Sequence, residues 1–186
     1  KSFNAVNLAV ALAEAGERVC LVDADLRRAS CHRAFGLEPP SVGLSSLLHR
    51  GLPPEVGLVA TGLPTRTFRT AGRRPPAPSA PLSAERARGL LGARRERYPW
   101  ISVDSPPVLA VSDGTVLASM VDGVLLVVRA HATPIEAVLL ARDRLQALGA
   151  RMLGVVLNDV KLPRNRYFYA SYGYQGSTDG DARKSA

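Results

Sequence analysis

Acidic side chains follow three of the four strongest apolar segments in this chain. Asp23 and Asp25 come directly after RVCLV, Asp104 follows WISV, and Asp159 closes MLGVVLND. Short continuous apolar runs are typical of strands buried on both faces, and ligands of parallel sheets bind just past the carboxyl ends of such strands. Carboxylates placed there can hold Mg²⁺ directly or through water. One such acid would be an ordinary helix cap or loop residue, but several at equivalent positions predict a nucleotide and metal site.

The first two residues point in the same direction. A phosphate-binding P-loop reads G-x-x-x-x-G-K-[ST] and opens a helix, so that backbone N–H groups, the lysine and the hydroxyl hold phosphates and Mg²⁺. Lys1 and Ser2 directly precede residues 3–15, whose apolar side chains recur at helical spacing. Because a strand ending in Asp23 follows this helix, we interpret Lys1 and Ser2 as the end of a P-loop whose glycines lie upstream. The chain is therefore expected to be N-terminally truncated.

Apolar segments alternate with helical patterns along the rest of the chain. Strands are predicted at residues 18–22, 56–61, 100–103, 123–129 and 152–159, and helices at 3–15, 83–98 and 134–148, with a turn and a short helix within 32–51. Gly16 and Gly149 are placed to end two of the helices. Ser83 and Thr133 are placed as N-caps, with Pro134 in the first helical position. This alternation predicts an α/β fold with a mostly parallel, doubly wound sheet.

The chain divides into a domain over residues 1–160 and a flexible tail over residues 161–186. Residues 63–81 are rich in Pro, Arg and Thr and are predicted to form an exposed loop or insertion within the domain. No run of about 18 uncharged apolar residues occurs, so the sequence predicts no membrane-spanning helix. Cys20 lies in an apolar run and Cys31 in a polar turn, and free thiols are expected for both.

The net charge of +8 is carried almost entirely by arginine. Such a charge is compatible with nucleic acid or an acidic membrane surface as a partner. The arginines are scattered rather than aligned along one face, which favours an arginine-rich composition as the simpler explanation.

The tail holds four of the five tyrosines of the chain, Tyr167, Tyr169, Tyr172 and Tyr174. Residues 161–175 also carry lysine and arginine but no acid, and glycine and serine separate some of the rings. The pattern has neither helical nor strand periodicity, so these aromatic side chains are not expected to build a core.

Together these motifs resemble the bacterial tyrosine kinases of capsular and exopolysaccharide biosynthesis, a P-loop family related to the MinD/ParA ATPases. The segment KSFNAVNLAVALAEAGERV looks like the end of Walker A and its helix, CLVDADLRR resembles the motif called Walker A′, and ISVDSPPVLAVSDG resembles Walker B with its continuation. The segments DGVLLVVRAHATP and ARMLGVVLNDVKLPRNRYFYASYGY are similar to the later strands and the tyrosine cluster of these kinases. The acidic motifs are shared with the ATPases, whereas the tail after LND separates the kinases from them.

The resemblance implies a role for each site residue. Lys1 would contact the β- and γ-phosphates of ATP, Ser2 would ligate Mg²⁺, and Asp104 would hold the metal through water. Asp23 and Asp25 would divide metal positioning and activation of the incoming tyrosine hydroxyl, with Asp25 nearer the metal and Asp23 nearer the role of base.

Asn158 matches a position that contacts adenine in the family, although a turn-forming role explains it nearly as well. Asp113 and Asp122 are interpreted as a helix-start acid and a loop acid. ATP and Mg²⁺ are the cofactors that the resemblance implies.

The resemblance also implies that the four tail tyrosines accept phosphate. Each phosphotyrosine adds about −1.5 to −2 charges, so two modified tyrosines would reverse the sign of the basic segment. An unmodified tail would enter the active site of a neighbouring copy, and a phosphorylated tail would be repelled by Asp23, Asp25 and Asp104. Two alternatives are a stacking platform for single-stranded nucleic acid and unspecialised surface aromatics.

The expected function is an ATP-dependent protein-tyrosine autokinase that regulates polysaccharide synthesis and export. The implied partners are a membrane polysaccharide co-polymerase, as activator, and other copies of the chain in a ring-like oligomer, whereas nucleic acid is not expected. The expected location is the cytoplasmic side of the plasma membrane, reached through that partner or an upstream segment. A MinD/ParA-type ATPase and a catalytically degenerate binding module are the alternatives.

Overall fold

The structure is a computed structural model, and it describes residues 1–38, 41–50, 52–53, 56–60, 66–69, 72 and 84–161. Within these residues the helices are α1 (Ser2–Glu14), α2 (Cys31–Ala34), α3 (Leu44–Arg50), α4 (Ala84–Arg95), α5 (Asp113–Ala118) and α6 (Ile135–Ala147). The strands are β1 (Val19–Asp23), β2 (Leu58–Ala60), β3 (Arg66–Arg69), β4 (Trp100–Asp104), β5 (Val124–Arg129) and β6 (Met152–Asn158). Helices and strands therefore alternate along most of the chain, as predicted.

The described strands form two sheets. The larger sheet has the order β2-β3-β1-β4, in which β1 pairs in parallel with both β3 and β4 while β2 pairs antiparallel with β3. Strands β5 and β6 pair in parallel in the second sheet. Parallel neighbours require crossover connections, and helices supply them here. The predicted mostly parallel α/β architecture is confirmed.

Strand β1 lies between two layers of helices, and all five of its residues are buried. Val19 and Leu21 pack in a cluster with residues of α1 and α2 on one face. Cys20 and Val22 pack with residues of α3, α4 and α5 on the other face. This two-sided burial is the doubly wound arrangement, and it explains why the sequence of β1 is continuously apolar.

Strand β3 lies where the sequence predicts an exposed loop. Residues 66–69 pair in parallel with β1 and antiparallel with β2, so the loop prediction over 63–81 is wrong for these residues. Their sequence, RTFR, contains no apolar run, and strand formation here follows from pairing with the fully buried β1 rather than from local pattern. Of the other residues in 63–81, the structure describes Gly72 alone.

Both predicted glycine helix ends are confirmed. Gly16 has φ +90° and follows α1, and Gly149 has φ +71° and follows α6. Gly16 donates its N–H to the carbonyl of Ala13, and Gly149 donates to the carbonyl of Gln146. These bonds satisfy carbonyl groups of the last helical turn, and glycine adopts the required positive φ without steric strain.

The start of α6 differs by one residue from the prediction. Pro134 occupies the N-cap position rather than the first helical position. The Thr133 hydroxyl does not cap the helix but accepts the N–H of Arg129 at 3.2 Å. The end of β5 therefore engages this side chain before the helix begins. The predicted N-cap Ser83 lies outside the described residues.

Among the described residues, no helix has both the length and the apolar character needed to cross a bilayer. Residues 162–186, with the four predicted phosphoacceptor tyrosines, lie outside the described residues. The division into a domain over 1–160 and a tail over 161–186 stays a prediction.

Candidate active site

Four predicted site residues meet at the carboxyl ends of β1 and β4. The parallel register pairs Asp23 with Asp104, and the next N–H, that of Ala24, donates to the carbonyl of Asp104 at 2.8 Å. The ammonium nitrogen of Lys1 lies 2.7 Å from Asp104 Oδ1 and 3.8 Å from Asp25 Oδ2. We refer to Asp23, Asp25 and Asp104 as the acidic cluster.

The acidic cluster is buried. Asp23, Asp25 and Asp104 are 0%, 6% and 1% exposed, whereas the side chain of Lys1 is 32% exposed. Carboxylates are rarely buried unless a cation or hydrogen-bond donors compensate them. Three formal negative charges face one lysine here, so the site has the charge to attract a further cation.

Backbone N–H groups of the loop after β1 hold two of the acids in place. Asp23 Oδ1 accepts the N–H of Asp25 at 3.3 Å, and Asp23 Oδ2 accepts the N–H groups of Ser30 and Cys31, each at 3.1 Å. Asp25 Oδ1 accepts the N–H of Arg28 at 2.9 Å. The loop therefore folds back over Asp23, and this arrangement leaves Asp25 Oδ2 on the side of Lys1.

The environment of Asp23 alters its acidity. Burial raises the pKa of the Asp23 carboxyl because it disfavours the charged form, and the nearby charge of Asp104 raises it further. The hydrogen bond from the Cys31 N–H acts in the opposite direction without reversing the shift. A raised pKa suits a group that accepts a proton.

The raised pKa of Asp23 predicts a contribution to stability that falls as the pH rises. Between the ordinary carboxyl pKa of 3.8 and the raised value, the folded chain binds the proton more tightly than the unfolded chain. Raising the pH through this interval therefore lowers the free energy of unfolding. Asp23→Asn cannot titrate, so we expect the unfolding free energy of the wild type to fall relative to that of the variant as the pH rises. Urea denaturation between about pH 3 and pH 8 measures this difference.

The exposed acid Asp122 provides the control for this titration. Its side chain is 85% exposed, so Asp122→Asn makes the same chemical change without a burial effect. If the unfolding free energy of the wild type, relative to that of Asp23→Asn, stays constant or increases as the pH rises, the raised pKa of Asp23 is contradicted.

Cys31 is part of the site, although the sequence analysis placed it in a polar turn. It begins α2, is 1% exposed, and its Sγ donates to Asp104 Oδ2 at 3.4 Å. Burial raises the pKa of the thiol, and the charges of Asp23 and Asp104 raise it further. Neither Cys20 nor Cys31 forms a disulfide bond with a described residue, and both are buried. No local pattern reveals this position, because the return of the loop onto Asp23 creates it.

Of the two remaining predicted ligands, one directly follows Lys1 and the other lies in the second sheet. Ser2 is the first residue of α1, next to Lys1. Asn158 ends β6 in the second sheet. Asp159, which follows it with φ +60°, pairs with Arg129 at 2.7 Å. Asp159 therefore belongs to the edge of the second sheet and pairs with a cation there.

The two acids that were not assigned to the site behave as predicted. Asp113 is the first residue of α5, and Asp122 is an exposed acid that pairs with Arg95. Asp113 is also buried, and its Oδ2 lies 3.8 Å from Nε of Arg27 in the loop after β1. This contact, which the sequence does not reveal, joins the loop of the acidic cluster to α5.

The residues present fit a phosphate and a divalent cation. Asp25 and Asp104 direct carboxylate oxygens toward one cationic group, the ammonium of Lys1. Carboxylate oxygens are the ligands that Mg²⁺ prefers, and a lysine at the start of a helix is suited to phosphate. The chemistry of this donor set therefore fits a nucleotide and a hard metal ion.

Comparison with known proteins identifies the family. The CobQ/CobB/MinD/ParA nucleotide binding domain family matches residues 1–172. The tyrosine-protein kinase YwqD of Bacillus subtilis (strain 168) is 35% identical over 184 residues, which are 99% of this chain and 76% of that protein. The chain belongs to the bacterial tyrosine-protein kinases. The prediction of a kinase of this P-loop family is thus confirmed.

Some relatives are several times longer than this chain. The tyrosine-protein kinase ptk of Acinetobacter johnsonii is 34% identical over 87% of this chain, which spans 22% of that protein. Among solved structures, the kinase domain of the Escherichia coli tyrosine kinase ETK has a TM-score of 0.81 and 33% identity, covering 90% of this chain and 66% of that one. The MinD cell division protein of Aquifex aeolicus, with a TM-score of 0.69 and 23% identity over 94% of this chain and 68% of that one, shares the fold.

Proposed function

We propose that this kinase transfers the γ-phosphoryl group of ATP, with Mg²⁺, to tyrosine hydroxyls of its own C-terminal cluster, and thereby regulates capsular or exopolysaccharide synthesis and export. The observation that supports this most is the convergence of Lys1, Asp25 and Asp104 at one edge of the sheet. A cation for phosphate and carboxylates for a metal are thus held within a few ångströms of each other.

Different residues of the chain are assigned to the phosphates, the metal and the adenine. Lys1 would bind the β- and γ-phosphate oxygens, while Ser2, Asp25 and Asp104 would hold the metal. Asn158, at the end of β6, contacts adenine. When bound, ATP supplies the transferable phosphoryl group and Mg²⁺ compensates its charge. Catalysis of this kind depends on positioning and charge neutralisation, both of which a buried and hydrogen-bonded cluster provides.

Proton transfer from the incoming tyrosine is assigned to the acids after β1. The tyrosine oxygen would form a bond to the γ-phosphorus as the bond from that phosphorus to the bridging oxygen breaks, ADP would leave, and the hydroxyl proton would pass to a carboxylate. The raised pKa of Asp23 favours it as acceptor. The oxygens of Asp23 already accept three N–H groups. Asp25, whose Oδ2 faces Lys1, is therefore proposed to share the role of proton acceptor and also to position the metal.

The proposed acceptors are Tyr167, Tyr169, Tyr172 and Tyr174. Their segment is basic, so in the unmodified state it is attracted to the negative charge of the acidic cluster. Phosphorylation reverses the sign of the segment and favours its release. The acceptor chain belongs to a neighbouring copy in a ring-like oligomer, and a membrane polysaccharide co-polymerase at the cytoplasmic face is the proposed activator.

Phosphate mapping tests this function. Purified protein is incubated with ATP and Mg²⁺, digested, and analysed by mass spectrometry. We expect phosphate on the tail tyrosines and none on Tyr98, which lies in the folded domain just after α4. ATP turnover with unmodified tyrosines would instead support a MinD/ParA-type ATPase. Absence of both turnover and modification would support a binding module.

A further inference from the structure

The acidic cluster contains a thiol that the proposed phosphotransfer does not use. The side chains of Asp23, Cys31 and Asp104 each direct one ligand atom into a common space, and these atoms lie within 4.8 Å of one another. All three residues are buried, and they come from three different elements, β1, α2 and β4. Two carboxylates and one thiol form a donor set different from the all-oxygen set that Mg²⁺ prefers.

The spacing within this group suits a small tetrahedral cation. Zn²⁺ binds sulfur at about 2.3 Å and carboxylate oxygen at about 2.0 to 2.2 Å, which places two such ligands about 3.5 Å apart at a tetrahedral angle. The observed distance from Cys31 Sγ to Asp104 Oδ2 is 3.4 Å. Lys1 contacts the other oxygen, Oδ1, so the side of Asp104 that faces the thiol is separate from the ion pair.

Charge also favours a cation at this position. The acidic cluster and Lys1 together carry a formal charge of −2, and loss of the Cys31 thiol proton makes it −3, so a divalent cation compensates most of this charge. The hydrogen bonds that Asp23 receives from the N–H groups of Ser30 and Cys31 fix the loop that carries the thiol, so the ligands are held before a metal arrives.

We propose that Asp23, Cys31 and Asp104 form a binding site for a thiophilic divalent cation of the Zn²⁺ class. On binding, a metal–sulfur bond forms and the thiol proton is released to solvent. Asp104 is shared with the Mg²⁺ site of the proposed function, so the thiophilic ion competes with the productive metal for this carboxylate. The inhibitory consequence rests on the proposed function, whereas binding itself does not.

Cadmium provides a direct probe, because Cd²⁺–thiolate bonds absorb in the ultraviolet through charge transfer. Protein without nucleotide is titrated with Cd²⁺, and Zn²⁺ affinity is measured separately by competition with a chromophoric chelator. We expect the wild type to show a charge-transfer band that saturates near one equivalent. Cys31→Ser should lose the band and bind Zn²⁺ at least about 10-fold more weakly.

Cys20 is a matched control for the thiol. It is equally buried, but it packs on the opposite face of β1 in the other cluster. Cys20→Ser should therefore keep the band and the Zn²⁺ affinity. Cys31→Ala is a second variant, and circular dichroism verifies that each variant is folded.

The outcomes separate this proposal from the proposed function. Absence of the band in the wild type, or unchanged Zn²⁺ affinity in folded Cys31→Ser and Cys31→Ala, overturns the site. If the wild type binds Cd²⁺ through Cys31 but its tyrosines are never modified, the result supports the metal site and contradicts the kinase mechanism. If the metal site and the kinase function are both correct, Zn²⁺ should inhibit tyrosine modification in the wild type more strongly than in Cys31→Ser. Each rate is compared with the zinc-free rate of the same protein.

Discussion

Asp104→Asn is expected to reduce tyrosine phosphorylation by about 10³-fold, because a bound metal contributes several kcal/mol of charge stabilisation and each 1.4 kcal/mol is about a factor of ten. Asp104 is 1% exposed and accepts the Lys1 ammonium at 2.7 Å. Asparagine keeps the shape of the side chain but removes the charge that holds the lysine and that the proposed metal site requires. The rate of phosphate incorporation at saturating ATP and Mg²⁺ measures the effect.

Asp122→Asn is the control for this substitution. It removes the same charge from an exposed acid that pairs with Arg95 and lies outside the acidic cluster. We expect its rate to remain within about twofold of the wild type, since exposed ion pairs contribute about 0 to 1 kcal/mol. Equal rates for Asp104→Asn and Asp122→Asn would exclude Asp104 from the metal site.

Lys1→Met is expected to reduce phosphorylation by about 10² to 10³-fold, the range seen when one preorganised donor to a developing charge is removed. Methionine retains much of the length and apolar stem of lysine but cannot bind phosphate oxygens. The same change leaves the buried Asp104 carboxylate without its cation. We therefore expect the free energy of unfolding to fall by about 1 to 3 kcal/mol, less than for a fully buried pair because Lys1 is partly exposed.

A double variant separates catalysis from stability. Lys1→Met combined with Asp104→Asn removes both charges, so we expect part of the lost unfolding free energy to return while the phosphorylation rate stays low. Denaturant unfolding and rate measurements on the same preparations give both readouts. Arg142→Met, in an exposed ion pair with Asp143, controls for the loss of a surface cation. A double variant with a normal rate would be incompatible with a role of Lys1 in phosphate binding.

Much of the fold and of the acidic cluster could be predicted from local sequence. The apolar run of β1 is a fully buried strand, whereas β4 is only partly buried and Trp100 is exposed, so burial on both faces was wrong for β4. The parallel register brings Asp23 and Asp104 side by side. Lys1 could be included because it precedes a helix with clear apolar periodicity. These features depend on patterns within a few residues, which sequence analysis reads well.

The features that escaped prediction depend on hydrogen-bond partners that no periodic sequence pattern identifies. Strand β3 has no apolar run, and it is a strand because it pairs in parallel with the edge of β1. Cys31 enters the site because its N–H and that of Ser30 donate to Asp23, which lies eight and seven positions earlier in the chain, respectively. Thr133 was expected to cap α6, but the N–H of Arg129 competes for its hydroxyl. In each case the deciding partner lies outside the local pattern.

The ion pair between Lys1 and Asp104 spans 103 positions of the chain. Ribosomes add roughly 5 to 20 residues per second, so the lysine is synthesised about 5 to 20 s before its carboxylate partner. The interval between the synthesis of β1 and that of β4 is nearly as long. During this interval β1 is an apolar segment with an unpaired edge. The edge of the sheet that carries the acidic cluster therefore cannot assemble until β4 has been synthesised, and until then β1 presents an unpaired edge to other polypeptides.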